Sequence, residues 1–155
     1  MVVPAGAPAP DFTLPDENET PRKLSDYQGQ AVVLYFYPKD DTPGCTKEAC
    51  AFRDDYRDYE RAGVTILGVS PDSPKSHAKF KKKYDLPFPL LADEDHAVAN
   101  MYGVWGPKKL MGRSYEGVLR TTFLIGEDGK VRKVFENVKP AEHSKEILAA
   151  FKESI

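Results

Sequence analysis

The sequence predicts an α/β protein whose central mixed sheet carries helices on both faces, a three-layer sandwich. Residues 31–37 and 64–69 are short apolar runs rich in β-branched and aromatic residues, with a helical pattern between them. A strand, a helix and a strand within about 40 residues are typical of a right-handed parallel βαβ unit. The runs 121–125 and 131–135 flank a glycine-containing turn at 126–130, which is typical of an antiparallel hairpin. The pattern alone is also compatible with other three-layer folds.

The segments before the first buried strand are short. Residues 1–10 contain three prolines and predict an irregular arm. Residues 11–14 predict a short strand, which pairs as a hairpin with the segment that ends at Leu24. Residues 25–29 predict a helical turn that leads directly into the buried strand.

The later elements follow from signals that start and stop helices and strands. We expect the main helix from Thr46 to Arg61, with Gly63 as its C-terminal cap. A second helix is expected from the N-cap Ser73 to about Tyr84. The remaining predicted elements are, in chain order, a strand at 88–91, a helix at 94–102 capped by Asp93, a long loop at 103–115 that holds Trp105, and a closing amphipathic helix at 141–153.

The most informative stretch is the passage from the first buried strand into the main helix. Pro38 ends the apolar run, Thr42 is a good N-cap, and Pro43 suits the first helical position. Residues then recur at helical spacing on one face; they are Cys45, Ala49, Phe52, Tyr56 and Tyr59. Cys45 is therefore predicted in the first turn of a helix that follows a buried strand.

This position changes the chemistry of a thiol. The first turn of a helix has unpaired N–H groups and the positive end of the helix dipole, and both favour an anion. Cysteine pKa values at helix N-termini can fall to roughly 3.5–7.5, from about 8.5 in a free thiol. We therefore expect Cys45 to be a thiolate at neutral pH. The Thr42 hydroxyl is expected both to cap the helix and to hydrogen-bond the sulfur.

The only other cysteine, Cys50, lies five residues later on the same predicted helix. In an intact helix this separation places the two Cα atoms roughly 8.6 Å apart, whereas disulfides rarely span more than about 7 Å between Cα atoms. The two thiols can bond only if at least the first turn unwinds. This geometry favours a disulfide that forms and breaks over a permanent crosslink.

These residues resemble the P-x-x-x-T-x-x-C signature of the peroxiredoxins through Pro38, Thr42 and Cys45. A second cysteine five residues later resembles the bacterioferritin-comigratory-protein or Q-type branch of that family, the thioredoxin-dependent thiol peroxidases. Thr46 and Glu48 also fit the peroxiredoxin signature. Further residues are similar to the Q-type branch and occur in the expected order; they are Ala9–Phe12, Tyr102–Trp105 and Arg120–Ile125. The resemblance covers nearly the whole chain.

The resemblance implies a thioredoxin-like fold and the reduction of hydrogen peroxide or organic hydroperoxides. It implies that Cys45 attacks the peroxide and becomes a sulfenic acid, that Cys50 resolves it as an intramolecular disulfide, and that thioredoxin or a similar dithiol donor regenerates both thiols. Arg120 is then the arginine that stabilises charge on the leaving oxygen. Pro38 shields the sulfur from water, and Glu48 either orients the arginine or faces solvent.

Composition limits the remaining choices. A chain of 155 residues with a formal net charge of −2 predicts one domain, 1–155, and argues against a nucleic-acid or anionic-membrane partner. No apolar run approaches the roughly 20 residues of a membrane span, and residues 1–10 lack the features of a signal peptide. Two cysteines are too few for a disulfide framework, and His77, His96 and His143 lack the spacing of zinc ligands. We therefore expect a cytoplasmic monomer without a metal or cofactor.

Two other functions are compatible with a pair of cysteines. A disulfide oxidoreductase or isomerase typically carries C-x-x-C, whereas the spacing here is C-x-x-x-x-C. A redox sensor or holdase would use the same oxidation only to expose surface.

Cys50 could also be an ordinary helix cysteine if an external thiol resolves the sulfenic acid. Trp105 fits a packed aromatic residue better than a catalytic one.

Overall fold

The computed structural model describes residues 2–136, 138 and 143–154. Its elements, in chain order, are β1 (Thr13–Pro15), β2 (Pro21–Lys23), a 3-10 turn (Leu24–Tyr27), β3 (Ala31–Phe36), α1 (Pro43–Asp54), α2 (Tyr56–Arg61), β4 (Val64–Ser70), α3 (Pro74–Tyr84), β5 (Leu90–Ala92), α4 (Ala97–Met101), β6 (Trp105–Leu110), β7 (Arg113–Val118), β8 (Thr121–Ile125), β9 (Val131–Glu136) and α5 (His143–Ser154).

Five of these strands form one mixed sheet in the order β5-β4-β3-β8-β9. Strand β4 pairs parallel with β3 on one side and with β5 on the other. Strand β8 pairs antiparallel with β3 and with β9. The predicted parallel βαβ unit and C-terminal hairpin are therefore confirmed. The predicted N-terminal hairpin is formed by β1 and β2.

Strand β3 lies at the centre of the sheet and is buried on both faces. Val33 and Tyr35 face a hydrophobic cluster to which α1, α2, α3 and α5 contribute. Val32 and Leu34 face a second cluster, built with α4 and the N-terminal strands. The layers are therefore those of the predicted α/β sandwich. Burial on both faces also explains why the sequence of β3 is a continuous apolar run rather than an alternating one.

The predicted start of the helix after β3 is confirmed, with Thr42 as N-cap and Pro43 as its first residue. The single long helix predicted as far as Arg61 is wrong. It is divided into α1 and α2 at Asp55, whose φ and ψ are −96° and 7°. The Asp55 carboxylate accepts a hydrogen bond of 2.8 Å from Ser144 Oγ at the start of α5. This tertiary contact supports the break, and periodicity does not reveal it because apolar residues continue past it at helical spacing.

The long loop predicted at 103–115 is also wrong, because β6 and β7 form an antiparallel hairpin there. Its turn is made by Met111 and Gly112, which both have positive φ (52° and 79°), as a type I′ turn requires. The usual signal for such a turn is Asn-Gly or Asp-Gly, and methionine does not give it. Most of β7 is exposed, so its sequence lacks the apolar alternation that identifies a strand.

Two predicted boundaries are wrong by two or three residues. Strand β5 begins at Leu90 rather than at residue 88, because Pro89 has no N–H to donate to the ladder. Helix α4 begins at Ala97 rather than at residue 94, since His96 has a left-handed backbone (φ 49°). Asp93 nevertheless serves this helix as predicted. Its two carboxylate oxygens accept backbone N–H groups of the first turn at 3.1 and 2.9 Å.

The other helix predictions agree with the structure. Helix α3 occupies the predicted range, and Ser73 Oγ accepts the Ser76 N–H at 3.2 Å as its cap. Gly63 has the positive φ (72°) expected of a residue that follows a helix. The closing helix is present as α5, whereas its predicted first residues, 141 and 142, lie outside the described residues. In the part of the chain that the structure describes, every helix is too short or too polar to cross a bilayer.

Candidate active site

Cys45 lies in the first turn of α1, just beyond the C-terminal end of β3. Its side chain is 1% exposed and packs in the hydrophobic cluster beneath α1. Both Cys45 and Cys50 are free thiols. The side chain of Cys45 is therefore held at the start of a helix and is buried from solvent.

Arg120 is brought to Cys45 by the topology of the sheet. It immediately precedes β8, whose first residue, Thr121, pairs with Phe36 at the end of β3. Since β3 and β8 are antiparallel, the start of β8 lies beside the point from which the chain enters α1. Arg120 Nη2 donates a hydrogen bond of 3.0 Å to Cys45 Sγ. The structure thus joins two residues that the sequence related only through a resemblance.

Glu48 orients Arg120 and does not face solvent. It lies one turn after Cys45 on α1 and is 1% exposed. Its Oε1 accepts a hydrogen bond of 3.2 Å from Arg120 Nη1. The guanidinium is therefore fixed by a carboxylate through one nitrogen and reaches the sulfur with the other. Burial raises the pKa of Glu48 to about 7, although the charge and hydrogen bond of Arg120 act in the opposite direction.

We expect Glu48 to make the stability of the protein depend on pH. Its pKa is about 7 in the folded chain against an ordinary value of 4.5, so the folded state binds the proton more tightly. The associated stability is present below pH 4.5 and is lost as pH rises through about 7. The loss from this one group amounts to about 3 kcal/mol between pH 4.5 and 8. Glu48→Gln should remove that part of the pH dependence and keep an oxygen for Arg120.

Urea unfolding at pH 4.5 and pH 8 measures this effect. Glu60→Gln is the matched control, because Glu60 lies on α2 and is exposed. Between pH 4.5 and pH 8, the unfolding free energy of Glu48→Gln should fall by about 3 kcal/mol less than that of the control. Equal pH dependence of the two variants would show that the buried carboxylate is not protonated in this range.

Thr42 is the N-cap residue of α1, but its side chain does not cap the helix. The predicted bond to the first turn is wrong, since Thr42 Oγ1 accepts no N–H of that turn. The hydroxyl donates its proton at 2.8 Å to the carbonyl oxygen of Lys39. Having a single proton, it cannot donate to the Cys45 sulfur at the same time. The first-turn N–H groups of Gly44 and Cys45 therefore have no side-chain acceptor from Thr42. Groups of this kind form an anion site at a helix start.

Pro38 lies in the chain between β3 and α1, whereas Trp105 lies on the other face of the sheet. Pro38 directly follows β3 and is half-buried, and its shielding of the sulfur remains a prediction. Trp105, at the start of β6, packs against the cluster on the opposite face of the sheet from Cys45. Its ring is stacked on that of His96, with centroids 3.9 Å apart. Trp105 is therefore a packed aromatic residue, as predicted.

Cys50 lies on the same uninterrupted helix as Cys45 and is half-buried. Burial raises the pKa of its thiol above the ordinary value. Because α1 continues from Pro43 to Asp54 without a break, helix geometry places the two cysteine Cα atoms roughly 8.6 Å apart. The reduced protein is therefore in a state from which a Cys45–Cys50 bond cannot form directly.

A group of contacts with α3, which we call the α3 clasp, was not predicted from the sequence. Asp40 is buried in the loop before α1 and accepts hydrogen bonds from Tyr37 Oη (2.6 Å) and Ser76 Oγ (2.8 Å). Its Oδ2 also lies 2.7 Å from His77 Nδ1. On the surface, Asp41 pairs with Lys83 (2.8 Å). The loop that leads into Cys45 is thereby attached to α3.

The α3 clasp also holds the far end of α1. Arg53 Nη1, in the last turn of α1, donates at 2.7 Å to the carbonyl oxygen of Tyr84 at the end of α3. The Tyr84 hydroxyl in turn donates at 2.8 Å to Asp41. Helix α3 therefore contacts the chain both before Cys45 and after Cys50. The sequence offers no local signal for this, since each partner is more than 30 positions from the other.

Asp40, Asp72 and His77 bring ligand atoms within 4.8 Å of one another, as a metal site would. Their polar atoms are already engaged. Asp72 Oδ2 accepts the Asp40 N–H (2.8 Å) and Ser70 Oγ (2.7 Å), and His77 Nε2 lies 3.0 Å from the carbonyl oxygen of Leu91. We therefore assign these residues to holding the loop rather than to binding an ion.

The fold and this site define a thiol-dependent redox enzyme built on a thioredoxin-like sheet. The model of the AhpC/TSA family matches residues 5–134. Peroxiredoxin Bcp from Bacillus subtilis is 46% identical over 153 residues, which cover 99% of this chain and 98% of the relative. The structure of peroxiredoxin Q from Xanthomonas campestris superposes with a TM-score of 0.90 at 38% identity, covering 96% of this chain and 97% of the other.

A further structure, of the bacterioferritin comigratory protein of Xanthomonas campestris, was described for its alkyl peroxide reduction activity. It has a TM-score of 0.90 and 37% identity, and covers 97% of this chain and 99% of its own. The chain belongs to the AhpC/TSA family and is a peroxiredoxin of the Bcp and Q type, a thiol peroxidase.

Proposed function

We propose that the protein reduces hydrogen peroxide and organic hydroperoxides through a two-cysteine cycle, in which Cys45 reacts with the peroxide and Cys50 resolves the product. The observation that carries this proposal is the hydrogen bond of 3.0 Å from Arg120 to the buried Cys45 sulfur at a helix start. A cationic donor at this distance stabilises negative charge on sulfur and on an oxygen that approaches it. The alkyl peroxide reduction described for the Xanthomonas relative supports the inclusion of organic substrates.

In the first step, the Cys45 thiolate attacks the terminal oxygen of the peroxide. A sulfur–oxygen bond forms, the oxygen–oxygen bond breaks, and the leaving oxygen takes a proton to become water or an alcohol. Sulfur is oxidised by two electrons to a sulfenic acid. Arg120 is placed to stabilise the charge that develops on the leaving oxygen. The uncapped N–H groups of Gly44 and Cys45 are placed to hold the peroxide itself.

In the second step, the Cys50 sulfur attacks the sulfenic sulfur of Cys45. A disulfide forms and the sulfenic oxygen leaves as water, so no further oxidant is required. With roughly 8.6 Å between the Cα atoms in the intact helix and about 7 Å as the limit for a disulfide, the first turns of α1 must open before this step. The half-buried position of Cys50 fits a thiol that reacts only after such an opening.

In the third step, thioredoxin or a similar dithiol donor reduces the disulfide by thiol–disulfide exchange. Two electrons and two protons pass from the donor to the two cysteines, and the donor leaves as a disulfide. The helix can then re-form with Cys45 beside Arg120. Pro38, directly after β3, completes the set of residues proposed for the site by limiting access of water to the sulfur.

Mass spectrometry of the intact protein tests this proposal. After one equivalent of hydrogen peroxide and trapping of free thiols, the protein should lose two hydrogens, and neither thiol should remain available. A digest should contain a Cys45–Cys50 link. One added oxygen on Cys45 with Cys50 still free would instead indicate an external resolving thiol. A protein that does not react at all would refute the proposed peroxide chemistry.

A further inference from the structure

Lys108 is a second cation near Arg120 whose position the proposed reaction does not explain. It lies on β6 and is half-buried. Its Nζ donates a hydrogen bond of 2.8 Å to the carbonyl oxygen of Val118, two residues before Arg120. The side chain passes over Gly117, where a Cβ atom would lie 3.1 Å from Lys108 Cδ. The absence of a side chain at Gly117 leaves room for the Lys108 side chain to reach the Val118 carbonyl.

A further contact lies at the base of the β6–β7 hairpin, where the chain leads into Arg120. The Leu119 N–H donates at 2.8 Å to the carbonyl oxygen of Val104, directly before β6. Together with the Lys108 bond, this contact fixes Val118 and Leu119, the two residues before Arg120. The base of the hairpin therefore leads directly into Arg120.

Lys108 and Arg120 differ in whether a carboxylate forms an ion pair with them. Arg120 is paired with Glu48, whereas among the described residues no carboxylate lies within 4.0 Å of Lys108 Nζ. Burial lowers the pKa of Lys108, and the charge of Arg120 lowers it further, while a negative charge on Cys45 opposes both. Two like charges close together are unfavourable unless an anion compensates them.

We propose that Lys108 is a positioning residue for the peroxide reaction, which adds its charge to that of Arg120 to stabilise negative charge on the Cys45 sulfur and on the leaving oxygen. Lys108 acts through the electrostatic field of the site and contacts neither atom in the reduced protein. The inference rests on the proposed role of Cys45 as the peroxide-reactive residue. The other groups that contribute to this field are Arg120, Glu48 and the buried hydroxyl of Tyr35.

Stopped-flow oxidation of the full chain by hydrogen peroxide, followed from pH 5 to pH 9, tests the inference. Lys108→Gln keeps a donor for Val118 but removes the charge. Its second-order rate constant at neutral pH should fall about 3- to 10-fold, and the acidic limb of the rate profile should move up by about 0.5 to 1 pH unit. Lys108→Arg should restore most of the rate. Lys109→Gln, at the exposed neighbouring position, should remain within about twofold of the wild type.

Two outcomes would overturn the inference. A Lys108→Gln variant with an unchanged rate and pH profile would remove any role in the reaction, and a Lys108→Arg variant as slow as Lys108→Gln would leave only a structural contact with Val118. Should Lys108→Gln unfold at the assay temperature, Lys108→Met keeps the apolar stem and carries the same expectations. A wild-type protein that fails to react with peroxide would refute the proposed function instead, so the two failures are distinguishable.

Discussion

Replacing Cys45 with serine is expected to lower peroxide consumption to the rate of buffer without protein. A serine hydroxyl at this position can still accept the hydrogen bond from Arg120, which lies 3.0 Å from the sulfur in the native site. It is not ionised at neutral pH and is a weak nucleophile, and it has no counterpart to the sulfenic acid. The loss therefore comes from the reacting atom itself and not from the fold.

Peroxide consumption with thioredoxin, thioredoxin reductase and NADPH measures this effect. Thermal unfolding of Cys45→Ser shows whether the variant is folded, since the replaced group lies in a buried cluster. In a single oxidation without thioredoxin, Cys50→Ser is the matched control, because it exchanges the same atoms five positions away on the same helix and leaves the reacting sulfur in place. Continued turnover by a folded Cys45→Ser variant would contradict the assignment of Cys45.

Replacing Cys50 with serine is expected to leave one fast oxidation and to stop the cycle after it. Cys50 is half-buried and forms no hydrogen bond with Arg120 or Glu48 among the described contacts, so the first step should proceed at close to the native rate. The sulfenic acid then has no thiol of its own chain with which to condense. Steady-state turnover with thioredoxin should fall below about a tenth of the wild-type rate.

A rapid-mixing experiment separates these two phases. The Cys50→Ser variant should consume one equivalent of peroxide in a burst, and the trapped protein should carry one added oxygen. Addition of a small thiol such as dithiothreitol should restore turnover, since it can attack the sulfenic acid directly. Native steady-state turnover with thioredoxin alone would move the resolving role to another thiol.

The parts of the fold that the sequence predicts are those with a strong local pattern. The runs that form β3, β4 and β8 are recognisable because most of their residues are buried on both faces of the sheet, which leaves few polar positions within them. The exposed hairpin at 105–118 was missed because β7 is largely solvent-facing and its turn contains methionine in a left-handed conformation. Burial, and not secondary structure itself, produces the pattern that can be detected.

The residues of the candidate site also fall into those that a local sequence pattern predicts and those that it does not. Cys45 and its position at a helix start follow from neighbouring residues, whereas Arg120 meets it only through the pairing of β3 with β8 and could be identified only by resemblance. The sequence left two roles open for Glu48, and the structure selects one. The cap predicted for Thr42 is wrong, because its Oγ1 accepts no N–H of the first turn and its proton is donated to the Lys39 carbonyl. Propensity does not decide this side-chain orientation.

The α3 clasp has a consequence for the proposed opening of α1. Asp40 and Arg53 are both held by α3, so the segment between them is tethered at its two ends when it unwinds. Tethering at both ends restricts the conformations of the unwound segment, so it gains less chain entropy than a free chain would. Loops of about ten residues close in about 10–100 ns. Rewinding after reduction should therefore be fast compared with the encounter with a reductant protein, which leaves that encounter to limit the rate of the cycle at low donor concentration.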